Sequence, residues 1–135
     1  MNLDKLIDLL KKHEGIKLKP YRDILGNLTI GIGRNLDGKG ISLGEADYLV
    51  QNDIDDAGKD LYSIFQNFYD FSDNRQCALV SMMFMGKVSF LRFKKMILAI
   101  NEGNWEQAAK EILNSKYAVQ VGTRAIEIAG MLRKG

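Results

Sequence analysis

The chain has 135 residues, of which 46% are hydrophobic and 27% are charged, and its formal net charge is +2. This length and composition are typical of one globular domain and exclude a low-complexity or fibrous protein. A single cysteine and a single histidine exclude an internal disulfide and a four-ligand Cys/His zinc site, so we predict no metal and no cofactor.

The first predicted element is an amphipathic helix over residues 3–14, in which apolar residues recur at helical spacing and Gly15 follows as an ending signal. Asp4 and Asp8 interrupt any continuous apolar run of the kind an export signal needs, which argues against such a signal. No segment approaches the length of a membrane span. We therefore expect synthesis in the cytoplasm without a signal peptide, and no stable membrane insertion.

A small antiparallel sheet is predicted after this helix. Pro20 restricts the first strand to a sheet edge, and residues 23–27 have the composition of a turn. Thr29 opens the next strand, and the strand period places Gly31 and Gly33 on the same side as Thr29. This pattern predicts a sheet with one packed face and one bare face.

The remainder is predicted to be helical. Ser42 and Glu45 have the spacing of a capping box, and the helix that follows them carries an apolar stripe as far as Phe68. Four shorter helices are predicted after it: residues 73–85, residues 90–100, a helix capped by Asn104 and a last helix capped by Thr123.

These elements predict an α+β, mostly α-helical fold within one domain, 1–135. Residues 13–60 would form a hairpin lobe and a bridging helix. Residues 61–135 would form a helical lobe against which helix 3–14 packs, with a cleft between the lobes.

Two carboxyl groups are candidates for chemistry. Glu14 lies at the C-terminal end of its helix, where the helix dipole disfavours a negative charge, so we expect it to keep its proton more readily. Asp23 lies in a turn among backbone amides, which favour the ionised form. Such a pair could act as acid and base at a sugar–sugar bond. From spacing alone, the favoured interpretation is an ordinary turn aspartate at residue 23 and a glutamate without a special role at residue 14.

The segments HEGIKLKPYRD and GNLTIGIG resemble the start of the phage-type lysozymes, glycoside hydrolase family 24. The resemblance extends with a few gaps over nearly the whole chain and implies a lysozyme-like, two-lobed fold. It also implies hydrolysis of the β-1,4 bond between N-acetylmuramic acid and N-acetylglucosamine in peptidoglycan, with inversion. On this basis Glu14 would be the general acid, and Asp23 with Thr29 would position and activate water.

The resemblance suggests further positions. Family residues near the substrate align with Tyr21, Gly33, Gln120 and Arg124, and Arg124 is expected to approach the catalytic glutamate across the cleft. One departure is Phe84, which stands where the family carries an amide residue before Met-Gly.

Residue 34 is a second departure, because Arg34 stands where relatives such as the T-even phage enzyme carry histidine. The family partner aligns with Asp53, so we predict an Arg34–Asp53 ion pair that ties the hairpin to the long helix. Because arginine does not titrate near neutrality, this ion pair should lack the pH sensitivity that a histidine would give it. The segment from residue 34 to residue 42 is also shorter than in that relative.

Two other functions remain alternatives. A peptidoglycan-binding module with the same fold and weak or no activity is the first. The second is nucleic-acid binding, since residues 61–135 carry ten Lys/Arg and six Asp/Glu, but the basic residues do not gather along one helix. We therefore predict no nucleic-acid partner. We expect a monomer. The resemblance to the phage-type lysozymes implies a protein made in the host cytoplasm that acts on the cell wall in the periplasm, after a holin has permeabilised the membrane.

Overall fold

The computed structural model describes residues 1–135. The fold is α+β and mostly α-helical, with one three-stranded antiparallel sheet, which confirms the predicted fold class. In chain order the elements are α1 (Leu3–Glu14), β1 (Lys17–Arg22), β2 (Leu28–Gly31), β3 (Arg34–Asn35), α2 (Leu43–Ile64), a 3-10 helix (Phe68–Asp70), α3 (Asp73–Met83), α4 (Lys87–Leu91), α5 (Lys94–Asn101), α6 (Trp105–Leu113), α7 (Lys116–Val121) and α8 (Thr123–Lys134).

The chain divides into two compact units, Met1–Leu49 and Val50–Gly135, and the division falls within α2. We call them the sheet unit and the helical unit. The expected packing of helix 3–14 against residues 61–135 stays a prediction. Among the helices, none has the length and apolar character needed to cross a membrane.

Helix α1 has the predicted bounds. The Asn2 side chain accepts a hydrogen bond from the Lys5 amide at its start (3.0 Å), and Gly15 ends the helix at φ +76°. Glycine adopts this left-handed conformation without the steric cost of a Cβ, so the chain can turn directly from Glu14 into β1. The strand order is β1-β2-β3, and Pro20 therefore lies in an edge strand as predicted.

The sheet differs from the prediction after Ile30. Gly31 and Gly33 have φ of +72° and +74°, so residues 31–33 turn the chain back into a third strand that the sequence pattern did not predict. Strand alternation therefore does not reach Gly33, and the predicted bare face was wrong. Thr29 lies on the central strand, pairs with Asn35 of β3, and is only 3% exposed.

Helix α2 begins with the predicted capping box. The Ser42 amide donates to Glu45 Oε1 (2.9 Å), and the Glu45 amide donates to Ser42 Oγ (3.1 Å). The two side chains thereby satisfy two amides that the first helical turn leaves free. The helix ends at Ile64, one turn before the predicted end at Phe68.

The helical unit holds the hydrophobic core. The helices of this unit differ from the prediction in four places. Helix α3 ends at Met83 rather than at residue 85, and residues 90–100 belong to two helices, α4 and α5. Helix α7 was not predicted, and Gly122 rather than Thr123 occupies the N-cap of α8. The largest fully buried side chains come from helices, the 3-10 turn and the loop before it: Leu61, Phe65, Phe68, Leu79, Met82, Phe90, Met96, Ile112 and Leu132.

Candidate active site

Glu14 is exposed at the last position of α1, and its carboxyl group lies against the backbone of the β2–β3 turn. A Cβ built on Gly33 would lie 3.1 Å from Glu14 Oε2 and 3.2 Å from Glu14 Cδ. Such contacts are closer than ordinary van der Waals packing, so the absence of a side chain at residue 33 leaves room for the carboxyl group. A side chain at residue 33 would therefore compete with the Glu14 carboxyl group for this space.

Asp23 is half-buried at the start of the turn between β1 and β2. Its Oδ1 accepts hydrogen bonds from the Leu25 amide (2.9 Å) and the Asn27 amide (2.8 Å). Its Oδ2 accepts none from the protein. One oxygen is therefore fixed by the backbone, and the other is free to accept a hydrogen bond or a proton from a bound water.

Thr29 is coupled to Asp23 through Asn27. Thr29 Oγ1 donates to the Asn27 carbonyl (2.9 Å), while the amide of the same asparagine donates to Asp23. A hydroxyl that donates its proton in one hydrogen bond still has lone pairs that can accept another hydrogen bond. Thr29 Oγ1 and Asp23 Oδ2 therefore both have unused acceptor capacity, which is the property needed to orient a nucleophilic water. The sequence pattern had assigned Asn27 only to the turn and missed this link.

Within the sheet unit Arg34 pairs with Glu45, a partner that the sequence did not predict, and the expected Arg34–Asp53 pair stays a prediction. Arg34 Nη1 donates to Glu45 Oε1 (2.8 Å) and to the Gly40 carbonyl (3.2 Å). Asp53 is exposed, so its carboxylate is solvated and does not require a buried counter-charge. The capping glutamate lies eleven residues after Arg34 and is already held by Ser42, which makes it the pre-ordered acceptor.

The Arg34–Glu45 pair changes the acidity of the carboxyl group. The hydrogen bond from Arg34, followed by those from the Ser42 amide and hydroxyl, lowers the pKa of Glu45 from 4.5 to about 2. The hydrogen bond to Glu45 in turn raises the pKa of Arg34. Both groups therefore stay charged across the range in which a histidine would titrate, so the expected insensitivity to pH near neutrality applies to this pair.

This pair predicts a difference in acid stability between the wild type and Glu45→Gln. Because folding lowers the pKa of Glu45, its contribution to stability is complete above about pH 4.5 and is lost as the pH falls towards 2. We expect the variant to melt below the wild type near neutrality and the two melting curves to converge in that acidic window. Thermal melts over a pH series measure this, with Glu106→Gln, which loses the exposed Arg133 pair, as the control. A Tm difference independent of pH would contradict the assignment.

The other sequence-predicted residues lie in both units. Tyr21 is half-buried on β1, directly opposite Thr29. Gly33 lies beside the Glu14 carboxyl group, and it also lines an open groove of about 990 Å³ in the sheet unit, which Glu14 does not line. Gln120 and Arg124 are exposed in the helical unit. Their binding roles, like that of Tyr21, stay predictions.

Gln120 and Arg124 line a second groove, of about 770 Å³, together with Phe84 and Tyr117. Arg124 Nη2 donates to the Ser81 carbonyl at 3.3 Å, which holds the guanidinium at the groove. Phe84 is 48% exposed there, so the residue that departs from the family pattern contributes an aromatic surface rather than an amide.

Comparison with known proteins identifies the family. A family model described as phage lysozyme matches residues 11–134. Two proteins of Dictyostelium discoideum, probable T4-type lysozymes 1 and 2, are 32% and 30% identical to the chain, which covers 93% and 96% of their lengths. These alignments include 95% and 98% of the chain itself. The pre-baseplate central spike protein Gp5 of Enterobacteria phage T4 is 28% identical over 96% of the chain, which spans 28% of that longer protein. Because the family model covers residues 11–134, this chain belongs to the phage lysozyme family.

Proposed function

We propose that this protein is a lysozyme that hydrolyses the β-1,4 bond between N-acetylmuramic acid and N-acetylglucosamine in peptidoglycan. The family and the T4-type lysozyme relatives support this type of activity. The observation that carries the proposal is the arrangement at Asp23, where one carboxylate oxygen is fixed by two amides and the other is free. That arrangement orients a base without blocking it.

In the proposed reaction, Glu14 donates a proton to the glycosidic oxygen as the bond to the anomeric carbon breaks. The leaving sugar departs with a free hydroxyl group. Glu14 is exposed and bounded by Gly33, so a saccharide chain could reach its carboxyl group. Proton donation of this kind typically contributes about 10²–10⁴-fold to the rate.

A water molecule would attack the anomeric carbon from the opposite face. Asp23 Oδ2 would accept a proton from this water, and Thr29 Oγ1 would accept its second hydrogen bond, so that the lone pair points at the sugar. The new bond forms on the face opposite the broken one, which inverts the configuration. Inversion requires the two carboxyl groups to be roughly 6.5–9.5 Å apart, with space for the water.

Substrate recognition is part of the same proposal. Tyr21 and Gly33 would contact saccharide in the sheet unit, and Gln120 and Arg124 would do so in the helical unit. The protein would act on the cell wall as a monomer and would depend on a holin, or an equivalent membrane-permeabilising partner, for access.

The proposal is tested by digestion of purified peptidoglycan, followed by borohydride reduction and mass spectrometry of the fragments. We expect new reducing ends that carry N-acetylmuramic acid. New ends on N-acetylglucosamine would assign cleavage to the other glycosidic bond. If the protein cosediments with peptidoglycan and produces no new ends, it is instead a binding module with the same fold.

The stereochemistry gives a separate prediction. Inversion at a β-linkage releases the α-anomer first, before mutarotation mixes the two forms. Proton NMR of a soluble glycan fragment in the first minutes of digestion measures the anomer directly, with a retaining lysozyme as the control. Initial release of the β-anomer would exclude the water-activating role of Asp23 and favour a covalent intermediate.

A further inference from the structure

The segment that follows β3 contacts the turn that carries Asp23. Asp37 Oδ2 accepts a hydrogen bond from the Leu28 amide at 2.7 Å and a second from Arg22 Nη1 at 3.1 Å. Leu28 and Arg22 are opposite each other in the β1–β2 ladder and are the residues at which the turn begins and ends. A single carboxylate oxygen thus joins both ends of the turn.

Arg22 extends this connection across the turn. The same Nη1 atom that contacts Asp37 also donates to the Gly26 carbonyl at 3.2 Å. Gly26 in turn donates its amide to the Asp23 carbonyl at 3.0 Å. The turn is therefore held at its two ends by Asp37 and near its middle by Arg22.

We propose that Asp37 is a positioning residue for Asp23, and this inference rests on the proposed function. Asp37 has no hydrogen bond to Asp23 and acts through the backbone. It fixes Leu28, which follows Asn27, and Asn27 supplies the amide that holds Asp23 Oδ1 and the carbonyl that holds Thr29. The orientation of the free Asp23 oxygen therefore depends on a contact made from outside the turn.

The expected effects of removing Asp37 on the free energy of unfolding and on the catalytic rate distinguish a positioning role from a general contribution to stability. The Arg22 and Asp37 side chains are 65% and 48% exposed, and exposed ion pairs contribute little to the free energy of unfolding. Catalysis is far more sensitive, because a displacement of about 1 Å in a reacting group can cost 10²-fold in rate. Removal of Asp37 should therefore lower kcat several-fold and leave Tm nearly unchanged.

The experiment compares Asp37→Ala, Asp37→Asn and a control on a soluble peptidoglycan fragment. We expect kcat to fall about tenfold in Asp37→Ala with KM nearly unchanged, since the substrate-contacting groups remain. Asparagine keeps an oxygen for the Leu28 amide, so Asp37→Asn should recover most of the rate. Glu106→Ala removes an ion pair of similar exposure in the helical unit and should match the wild type. Wild-type kcat in Asp37→Ala, or equal losses in all three variants, would overturn the proposal.

A second measurement does not depend on activity. NMR solvent exchange of the Leu25 and Asn27 amides reports directly on their hydrogen bonds to Asp23. We expect faster exchange at both amides in Asp37→Ala and rates close to those of the wild type in Asp37→Asn and Glu106→Ala. If the wild type hydrolyses no peptidoglycan, the proposed function fails, and these rates alone decide whether Asp37 orders the turn. Unchanged exchange in Asp37→Ala would overturn the inference in either case.

Discussion

Glu14→Gln is expected to lower peptidoglycan hydrolysis by about 10²- to 10⁴-fold, the usual contribution of a general acid. Glutamine has nearly the same shape and can fill the space over Gly33, but it carries no acidic proton to donate. Because Glu14 is exposed and makes no ion pair, the substitution should leave Tm unchanged. Release of reducing ends measures the first effect, and a thermal melt measures the second.

The chain offers a matched control for this substitution. Glu102 is also an exposed glutamate at the end of a helix, and Gly103 follows it at φ +73°, close to the +76° of Gly15. Glu102→Gln therefore makes the same chemical change before a glycine of similar φ at a helix end of the helical unit. We expect it to retain wild-type activity. Substantial hydrolysis by Glu14→Gln, or an equal loss in Glu102→Gln, would remove the assignment of Glu14 as the acid.

Features encoded by neighbouring residues were predictable from the sequence. The bounds of α1, the turn at residues 23–27 and the capping box at Ser42 and Glu45 each depend on hydrogen bonds within about five residues of chain. Local signals of this kind do not require knowledge of the fold. The identity of Glu14, Asp23 and Thr29 as candidates came from resemblance, since their spacing alone was compatible with ordinary structural roles.

Features set by contacts between segments were not predictable. The contact between Arg34 and Glu45 depends on the path of residues 35–42, which no local pattern in the sequence reveals. In the same way, the alternation of β2 could not reveal that the chain reverses at Gly31 and Gly33. Nothing in the sequence indicated the contacts of Asp37, because a lone aspartate in a polar loop is usually solvated.

A second large effect on activity is expected from Gly33→Ala, and Gly31→Ala is its control. Both glycines have a left-handed φ, so an alanine at either position adds a similar backbone strain of about 1–2 kcal/mol. The surroundings differ, because a Cβ at residue 31 meets no atom within 4 Å, whereas one at residue 33 crowds the Glu14 carboxyl group.

Gly33→Ala should therefore displace Glu14 by several tenths of an ångström, and a proton donor held out of line reacts slowly. We expect the two variants to lose similar amounts of thermal stability, but Gly33→Ala to lose about tenfold more activity than Gly31→Ala. Thermal melts and initial rates on the same peptidoglycan preparation measure both quantities. Equal rates in the two variants would mean that the Glu14 side chain moves aside without cost, and that the glycine at residue 33 serves only the turn.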